Sequence, residues 1–323
     1  MKKNKNLTQN IVIIAIIILL ALFFSVMSPS FRKYTTIVTL VGYMYYILLV
    51  SIGVTFPLIT GGVDLSTGTG LVCYSIISSY MFNHAGLPLW LAIIAAPIMG
   101  IIVGCFNGFV IAKFEIPPFI ATLSTSMILR GLGSIIPGGL TGVWPSSSGQ
   151  GGWVRSVLRF QSEDGLIFPI GIIWMIIIIG IMTVILRKTT VGRYTIAIGS
   201  NKTALGLSGV FVTKYQIIVY AISGFFTGLA ALAYGWTFTT ITPGTGAGFE
   251  LEAIGGAIIG GVSTSGGRGS IVGASLGVIL ISLLKTGLPN IGLQANAQQI
   301  ITGVVLMLAV AVDMASNNKK ITS

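Results

Sequence analysis

Few residues in this 323-residue chain can do chemistry, and their spacing decides of what kind. Seven Asp and Glu are spread along the sequence, with one histidine, His84, and two cysteines, Cys73 and Cys105. A metal centre needs several ligands at short spacing, and no such cluster occurs in the sequence. No G-x-x-x-x-G-K-[ST] phosphate loop is present. His84 follows Asn83 with no carboxylate nearby, the setting of a solvated histidine rather than a ligand or base. Both cysteines fall in apolar stretches, which suits buried, inert thiols better than a disulfide framework. The reading is therefore a non-enzyme with no catalytic, cofactor-binding or metal residues.

The charges that remain lie in or beside apolar stretches, where each is costly and informative. Asp64 follows Gly61-Gly62 and precedes Leu65-Ser66-Thr67. It is placed to cap the helix that follows, with substrate or ion binding as the other role open to it. Glu250 and Glu252 open another apolar segment, as caps or pore-mouth charges rather than proton carriers. Arg130 comes after Thr122, Ser124, Thr125 and Ser126, and either reaches out to the membrane surface or pairs with an acid.

Composition says what must position these residues. Only 8% of residues are charged and 54% are hydrophobic, with mean hydropathy +0.95. A soluble domain carries about a quarter charged residues, so this chain must face lipid. Apolar runs at 11–27, 36–59, 67–83, 89–112, 119–136, 166–186, 214–235, 248–262, 269–285 and 297–313 predict an all-α integral membrane protein of about ten helices. The eighth and ninth are short and glycine-rich, as broken or half-spanning helices are. The run after Lys2, Lys3 and Lys5 is too long for a signal peptide and has no cleavage motif, so it reads as a retained helix.

The net charge of +11 does not form a basic face for nucleic acid; it sits in short loops and gives orientation. With the N-terminus inside, Lys2, Lys3, Lys5, Lys113, Arg187, Lys188, Arg193, Lys202, Lys214, Arg268, Lys319 and Lys320 are cytoplasmic. Arg32, Lys33, Arg155, Arg159 and Lys285 are then external. Both termini lie inside, as tails over 1–10 and 314–323, and 1–323 forms one membrane domain. Two loops exceed simple connections. The external one, 138–165, contains Trp153 to Phe160 with Arg155 and Arg159 one turn apart, predicting a short amphipathic helix on the membrane surface. The cytoplasmic one, 187–213, contains Asn201 to Phe211, a short helix capped by Ser200 or Asn201.

Glycines recur at four-residue spacing (Gly100, Gly104, Gly108; Gly224, Gly228; Gly256, Gly260; Gly269, Gly273, Gly277), predicting close helix packing. Gly61-Gly-Val-Asp-Leu-Ser66 and Gly260-Gly-Val-Ser-Thr-Ser265 look alike only as glycine-rich segments do by chance.

Several motifs in fixed order resemble one family. They are Gly61-Gly-Val-Asp-Leu-Ser-Thr-Gly68, Ile116-Pro-Pro-Phe-Ile-Ala-Thr-Leu123 with Arg130-Gly131, Gly192-Arg-Tyr-Thr-Ile-Ala-Ile-Gly-Ser-Asn201, Leu207-Ser-Gly-Val210, Phe249-Glu-Leu-Glu-Ala-Ile254 and Gly260 to Ser270. From Val41 to Asp313 the chain resembles the permease subunit of ribose-type ABC importers, whose branch includes xylose, rhamnose and autoinducer-2 permeases. Thr67, Cys73 and Pro57 depart from the family pattern. The resemblance implies a type II ABC importer permease fold in a bacterial cytoplasmic (inner) membrane. It implies a second permease chain, as a homo- or heterodimer, with the translocation path at the interface. It also implies two cytoplasmic ATPase domains that carry the ATP and Mg, and an external or periplasmic solute-binding protein.

Carried onto this sequence, the coupling helix that meets the ATPase is Asn201 to Phe211. Its contacts are Asn201, Lys202, Ala204, Leu205, Leu207 and Gly209, while Arg155 and Arg159 help dock the binding protein. Asp64, Ser66, Arg130, Glu250 and Glu252 form the structural or gating motif. The scarcity of charge inside the spans also speaks for an energy source outside the chain. The implied function is ATP-driven import of a monosaccharide or similar small polar solute. The rivals are a nucleoside or branched-chain amino acid permease, an ion-coupled secondary carrier, and an intramembrane enzyme, which lacks a catalytic dyad.

Overall fold

A computed structural model describes residues 2–318. Lys319 and Lys320, and with them the end of the tail expected at 314–323, lie outside the described residues. The helices are α1 (Lys2–Met27), α2 (Tyr34–Ile59), α3 (Thr67–Asn83), α4 (Leu89–Phe114), α5 (Pro118–Ile135), α6 (Trp153–Ser156), α7 (Gly171–Lys188), α8 (Thr190–Leu207), α9 (Val212–Phe238), α10 (Phe249–Ile259), α11 (Ile271–Asn290) and α12 (Ala295–Asn318). Four two-residue strands form two antiparallel pairs: β1 (Gly142–Val143) with β4 (Thr240–Ile241), and β2 (Phe160–Gln161) with β3 (Ile167–Phe168). Helix limits follow local chemistry. Pro118 sits in the first turn of α5, where its missing N–H costs nothing, and Ser270 caps α11 by accepting from Gly273 N at 3.2 Å.

Among the described residues, six helices are long and apolar enough to cross a membrane: Leu7–Met27 of α1, then α2, α4, α7, α9 and α11. The chain is thus a multi-pass membrane protein. The other expected spans fall short for visible reasons. At 17 and 11 residues, α3 and α10 are shorter than a bilayer needs, and α5 carries Thr122, Ser124, Thr125, Ser126 and Arg130. The expected tail at 1–10 is helical from Lys2 and continues into α1. Lys285, expected in an external loop, lies inside α11, because that helix runs on to Asn290.

In the centre lie α2, α9 and α11, buried over most of their apolar length by the helices around them. At the periphery, α1, α4 and α7 turn Ile, Leu and Phe outward, the face that lipid hydrocarbon would cover. The glycine spacing does what it predicts. A methyl group on Gly100 would overlap the carbonyl of Gly224, and one on Gly277 the carbonyl of Gly256, so α4 meets α9 and α11 meets α10 backbone to backbone.

Two runs of four helices repeat the same arrangement in opposite directions. In one, α2 is followed by a bent connection, the short α3, then α4 and α5; in the other, α9 is followed by a bent connection, the short α10, then α11 and α12. Along α9 packs α4, as α11 packs along α2, and α3 touches α4 and α5 as α10 touches α11 and α12. The direction inverts: α2 ends where Gly267 N donates to Ile59 O at 2.8 Å, while α9 ends beside β1 and β4 at the opposite end of the bundle. Such inverted repeats put two broken helices at the middle of a membrane domain. The segment equivalent to 60–66 is therefore 239–248, and the likeness between 61–66 and 260–265 is no repeat.

Candidate functional site

The connection from α2 to α3 turns back into the bundle, and the side chains it carries are held by three other helices. Asp64 is 1% exposed. Its Oδ1 accepts from Ser66 N at 3.1 Å and Ser66 Oγ at 2.6 Å, and its Oδ2 accepts from Ser223 Oγ of α9 at 2.7 Å. Ser66 Oγ in turn accepts from Asn107 Nδ2 of α4 at 3.0 Å, and Asn107 Oδ1 accepts from Thr125 Oγ1 of α5 at 2.6 Å. Thr122 Oγ1 accepts from Leu65 N, and Thr69 and Ser126 hydroxyls meet at 2.9 Å.

Asp64, which follows α2 closely in the sequence, does not lie at the end of the bundle. It sits partway along α9, because the chain has already re-entered. Nor does it cap α3, whose N-cap residue is Ser66; it closes a local turn onto Ser66 and ties that turn to α9. Asn107 and Ser223 escaped the sequence reading. Their signal was that each is a lone polar residue in an otherwise apolar stretch.

The starts of α3 and α10 meet. Gly68, in the first turn of α3, has no side chain, and the space a methyl would need is taken by the Glu250 carboxylate and the Gly246 carbonyl. From there α3 runs toward the β1 end, where Asn83 Nδ2 donates to Val143 O, and α10 runs the other way. Glu250 Oε1 accepts from Gly248 N at 3.1 Å, so this acid does serve the helix N-terminus. Arg130 lies within electrostatic reach of Glu250 and lines a crevice with Thr69, Gly244 and Thr245. Glu252 instead turns to Lys285 of α11, 2.6 Å away. Two acids in one helical turn therefore face cations on different helices.

At the β1 end, the segment expected to form an amphipathic helix forms a shorter one and turns part of its apolar side into the protein. Its helix, α6, has four residues, and Val154 and Leu158 are buried in the protein. Trp144 is buried against Trp236 and donates from Nε1 to Ser75 Oγ at 3.0 Å. Arg155 Nε donates to Trp236 O at 3.2 Å, and Arg159 is placed between Thr237 O and Val38 O at 3.5 Å each. Both guanidinium groups thus point inward at the last carbonyls of α9, where a cation complements the helix dipole. Burial lowers the pKa of both groups from the usual value; at Arg159 the neighbouring Tyr45 opposes the shift and Arg155 adds to it. Replacing Arg159 by Gln is expected to lower stability by about 1 kcal/mol, read as a lower melting temperature in detergent.

At the opposite end, α8 contains a break. Asn201 has φ −163° and ψ 97°, and its Oδ1 accepts from Ala204 N at 2.8 Å. Asn201, rather than Ser200, is therefore the cap of a second short helix over 202–207; Ser200 Oγ donates back to Ile196 O. Asn201, Lys202, Ala204 and Gly209 are exposed and Leu205 half-buried, while Leu207 is 86% and Phe211 81% exposed. Gly209 has φ +85°, which a glycine adopts without strain, and it turns the chain into α9. Tyr194 and Tyr215 pack edge to face at 4.5 Å, fixing α8 against α9.

Comparison with known proteins adds an independent line. The family described as branched-chain amino acid transport system / permease component matches residues 36–310. The ribose import permease protein RbsC of Bacillus subtilis (strain 168) is 34% identical over 297 residues, 91% of this chain and 89% of its own length. The fructose import permease protein FruG of Bifidobacterium longum (strain NCC 2705) is 30% identical, over 84% of this chain and 80% of its own. The galactose/methyl galactoside import permease protein MglC of Haemophilus influenzae is 30% identical over 99% of both chains. No solved structure matches the chain.

Proposed function

Because the chain belongs to the branched-chain amino acid transport system / permease component family, we propose that it is the membrane-spanning subunit of an ATP-driven sugar importer. The observation that carries the mechanism is the Asn201-capped helix, which stands clear of the bundle with Leu207 and Phe211 exposed. An isolated apolar tip on a basic, polar end is a surface that awaits a partner. The partner we infer is a cytoplasmic ATPase domain, two of which, holding ATP and Mg, serve a pair of permease chains.

The end of α4, the end of α7, α8, the start of α9 and the loop before α11 carry Lys113, Arg187, Lys188, Arg193, Lys202, Lys214 and Arg268, which supports assigning this end to the cytoplasm. Counting α3, α5, α10 and α12 as crossings beside the six long helices gives ten, with both termini inside. The path for solute follows the junction with the second chain, beside the broken helices. ATP binding and hydrolysis shift the pair between outward- and inward-open states. The external binding protein docks on the segment 138–165, with Arg155 and Arg159 holding that platform onto α9 from beneath.

The test is uptake by proteoliposomes that contain the chain, its ATPase and its binding protein, with D-ribose, D-galactose and L-leucine as solutes. ATP-dependent uptake of a sugar is expected. Uptake of L-leucine alone would replace the sugar reading by an amino acid one. Uptake driven by an ion gradient without the ATPase would make the chain a secondary carrier.

A further inference from the structure

The Lys285–Glu252 ion pair is unexplained by packing alone. Ionisable side chains inside a membrane domain are expensive and are kept for a reason. Lys285 Nζ donates to Glu252 Oε1 at 2.6 Å and stands over two aromatic faces, 5.1 Å from the Phe249 ring centre and 5.5 Å from that of Tyr43. The ammonium has three donors and one oxygen partner here. The pair is not sealed: its side chains are 28% and 17% exposed.

Beside it are two polar atoms with no partner among the described residues. Glu252 Oε2 is buried and accepts nothing, and the Tyr46 hydroxyl, on a residue 0% exposed, bonds to nothing. Glu252 is within electrostatic reach of Tyr46, whose ring packs on Phe249 at 5.2 Å and on Tyr234 at 4.9 Å. A buried hydroxyl and a buried carboxylate oxygen left unpaired are each costly. One feature offers donors, an acceptor and ring faces together, with no net charge.

We propose that Glu252, Lys285 and Tyr46, framed by the Tyr43 and Phe249 rings, form a subsite within the membrane domain for a vicinal diol of a neutral sugar. Glu252 Oε2 accepts from one hydroxyl, while Lys285 or Tyr46 donates to its neighbour, and the sugar's C–H face lies on the rings. A diol, whose hydroxyls both donate and accept, uses both members of the pair at once. The inference rests on the sugar-importer reading above and adds to it a place where the permease itself discriminates.

The experiment compares D-ribose with 2-deoxy-D-ribose, which lacks one member of a diol, in the fully assembled transporter in proteoliposomes. Wild type is expected to prefer D-ribose. Tyr46→Phe removes only the hydroxyl and keeps the ring, so its melting temperature should hold or rise. Its D-ribose uptake should fall about tenfold, the size of one lost hydrogen bond, and the preference should narrow. Glu252→Gln, which keeps the side-chain shape, should narrow it likewise.

If both variants transport D-ribose with the wild-type rate and preference, the subsite is overturned while the importer reading stands. A Tyr46→Phe protein whose melting temperature falls in step with uptake makes the hydroxyl structural and also overturns it. If wild type imports L-leucine and neither pentose, the sugar reading fails first and the subsite with it.

Discussion

Leu207→Glu is expected to abolish ATP-driven uptake while the chain still inserts and folds. At 86% exposure Leu207 supports nothing inside the bundle, so its replacement costs the fold little. Its partner would feel the change strongly. A central apolar anchor lost from an interface costs about 2 kcal/mol or more, and a charge in its place adds the penalty of an unpaired ion at a desolvated contact. Together these exceed a hundredfold in affinity, since about 1.4 kcal/mol is tenfold. The check is co-purification of the ATPase alongside D-ribose uptake, with the melting temperature as control. Leu207→Met, similar in volume and apolarity, should retain both. Wild-type uptake by Leu207→Glu would remove the short helix over 202–207 from the coupling role.

The second large effect is expected at Asp64. Asp64→Leu removes the acceptor for Ser66 N, Ser66 Oγ and Ser223 Oγ at once and leaves three buried donors facing an alkyl group. Hydrogen bonds to a charged group are worth about 1.5–3 kcal/mol each, and a stranded buried donor costs about 1–3 kcal/mol. A loss of about 3 kcal/mol or more is therefore expected, read as a marked fall in melting temperature. Asp64→Asn keeps one accepting oxygen and should lose about half as much. Ser223→Ala tests the link to α9 alone, with an expected cost of about 1–2 kcal/mol. If Asp64→Leu melts like wild type, the network from the bent connection to α4, α5 and α9 is not what holds that connection in place.

Several of these features were visible as pattern. The apolar runs locate most helices to within a few residues because a buried or lipid-facing helix must be apolar along its length. The run at 67–83 coincides with α3, and Asn201 acts as the cap its residue type suggests. Four-residue glycine spacing predicted close helix contact, and the backbones of α4 and α9 do meet at Gly100 and Gly224. Hidden features were those that depend on depth and partner. Lys285 looks like a loop residue in a hydropathy trace, since nothing local shows that Glu252, 33 positions earlier, neutralises it across a helix contact. Arg155 and Arg159 have the spacing of a surface helix, but the C-terminal carbonyls of α9 draw them inward.

By itself the sequence determined that this chain belongs in a membrane, because 8% charged residues cannot cover a water-facing surface. It also carried the motifs of its family and the cap of the short helix at 202–207, both of which depend on residues adjacent in the chain. Only the tertiary structure decided which residues form the polar interior. It brought Asp64 to Ser223, Asn107 to Thr125 and Glu252 to Lys285, and it set the starts of α3 and α10 against each other. It also revealed the inverted repeat, which has no counterpart in the likeness of 61–66 to 260–265. The reason is that a broken helix returns the chain to a depth no periodicity records, and a hydrogen bond between distant positions leaves no local trace.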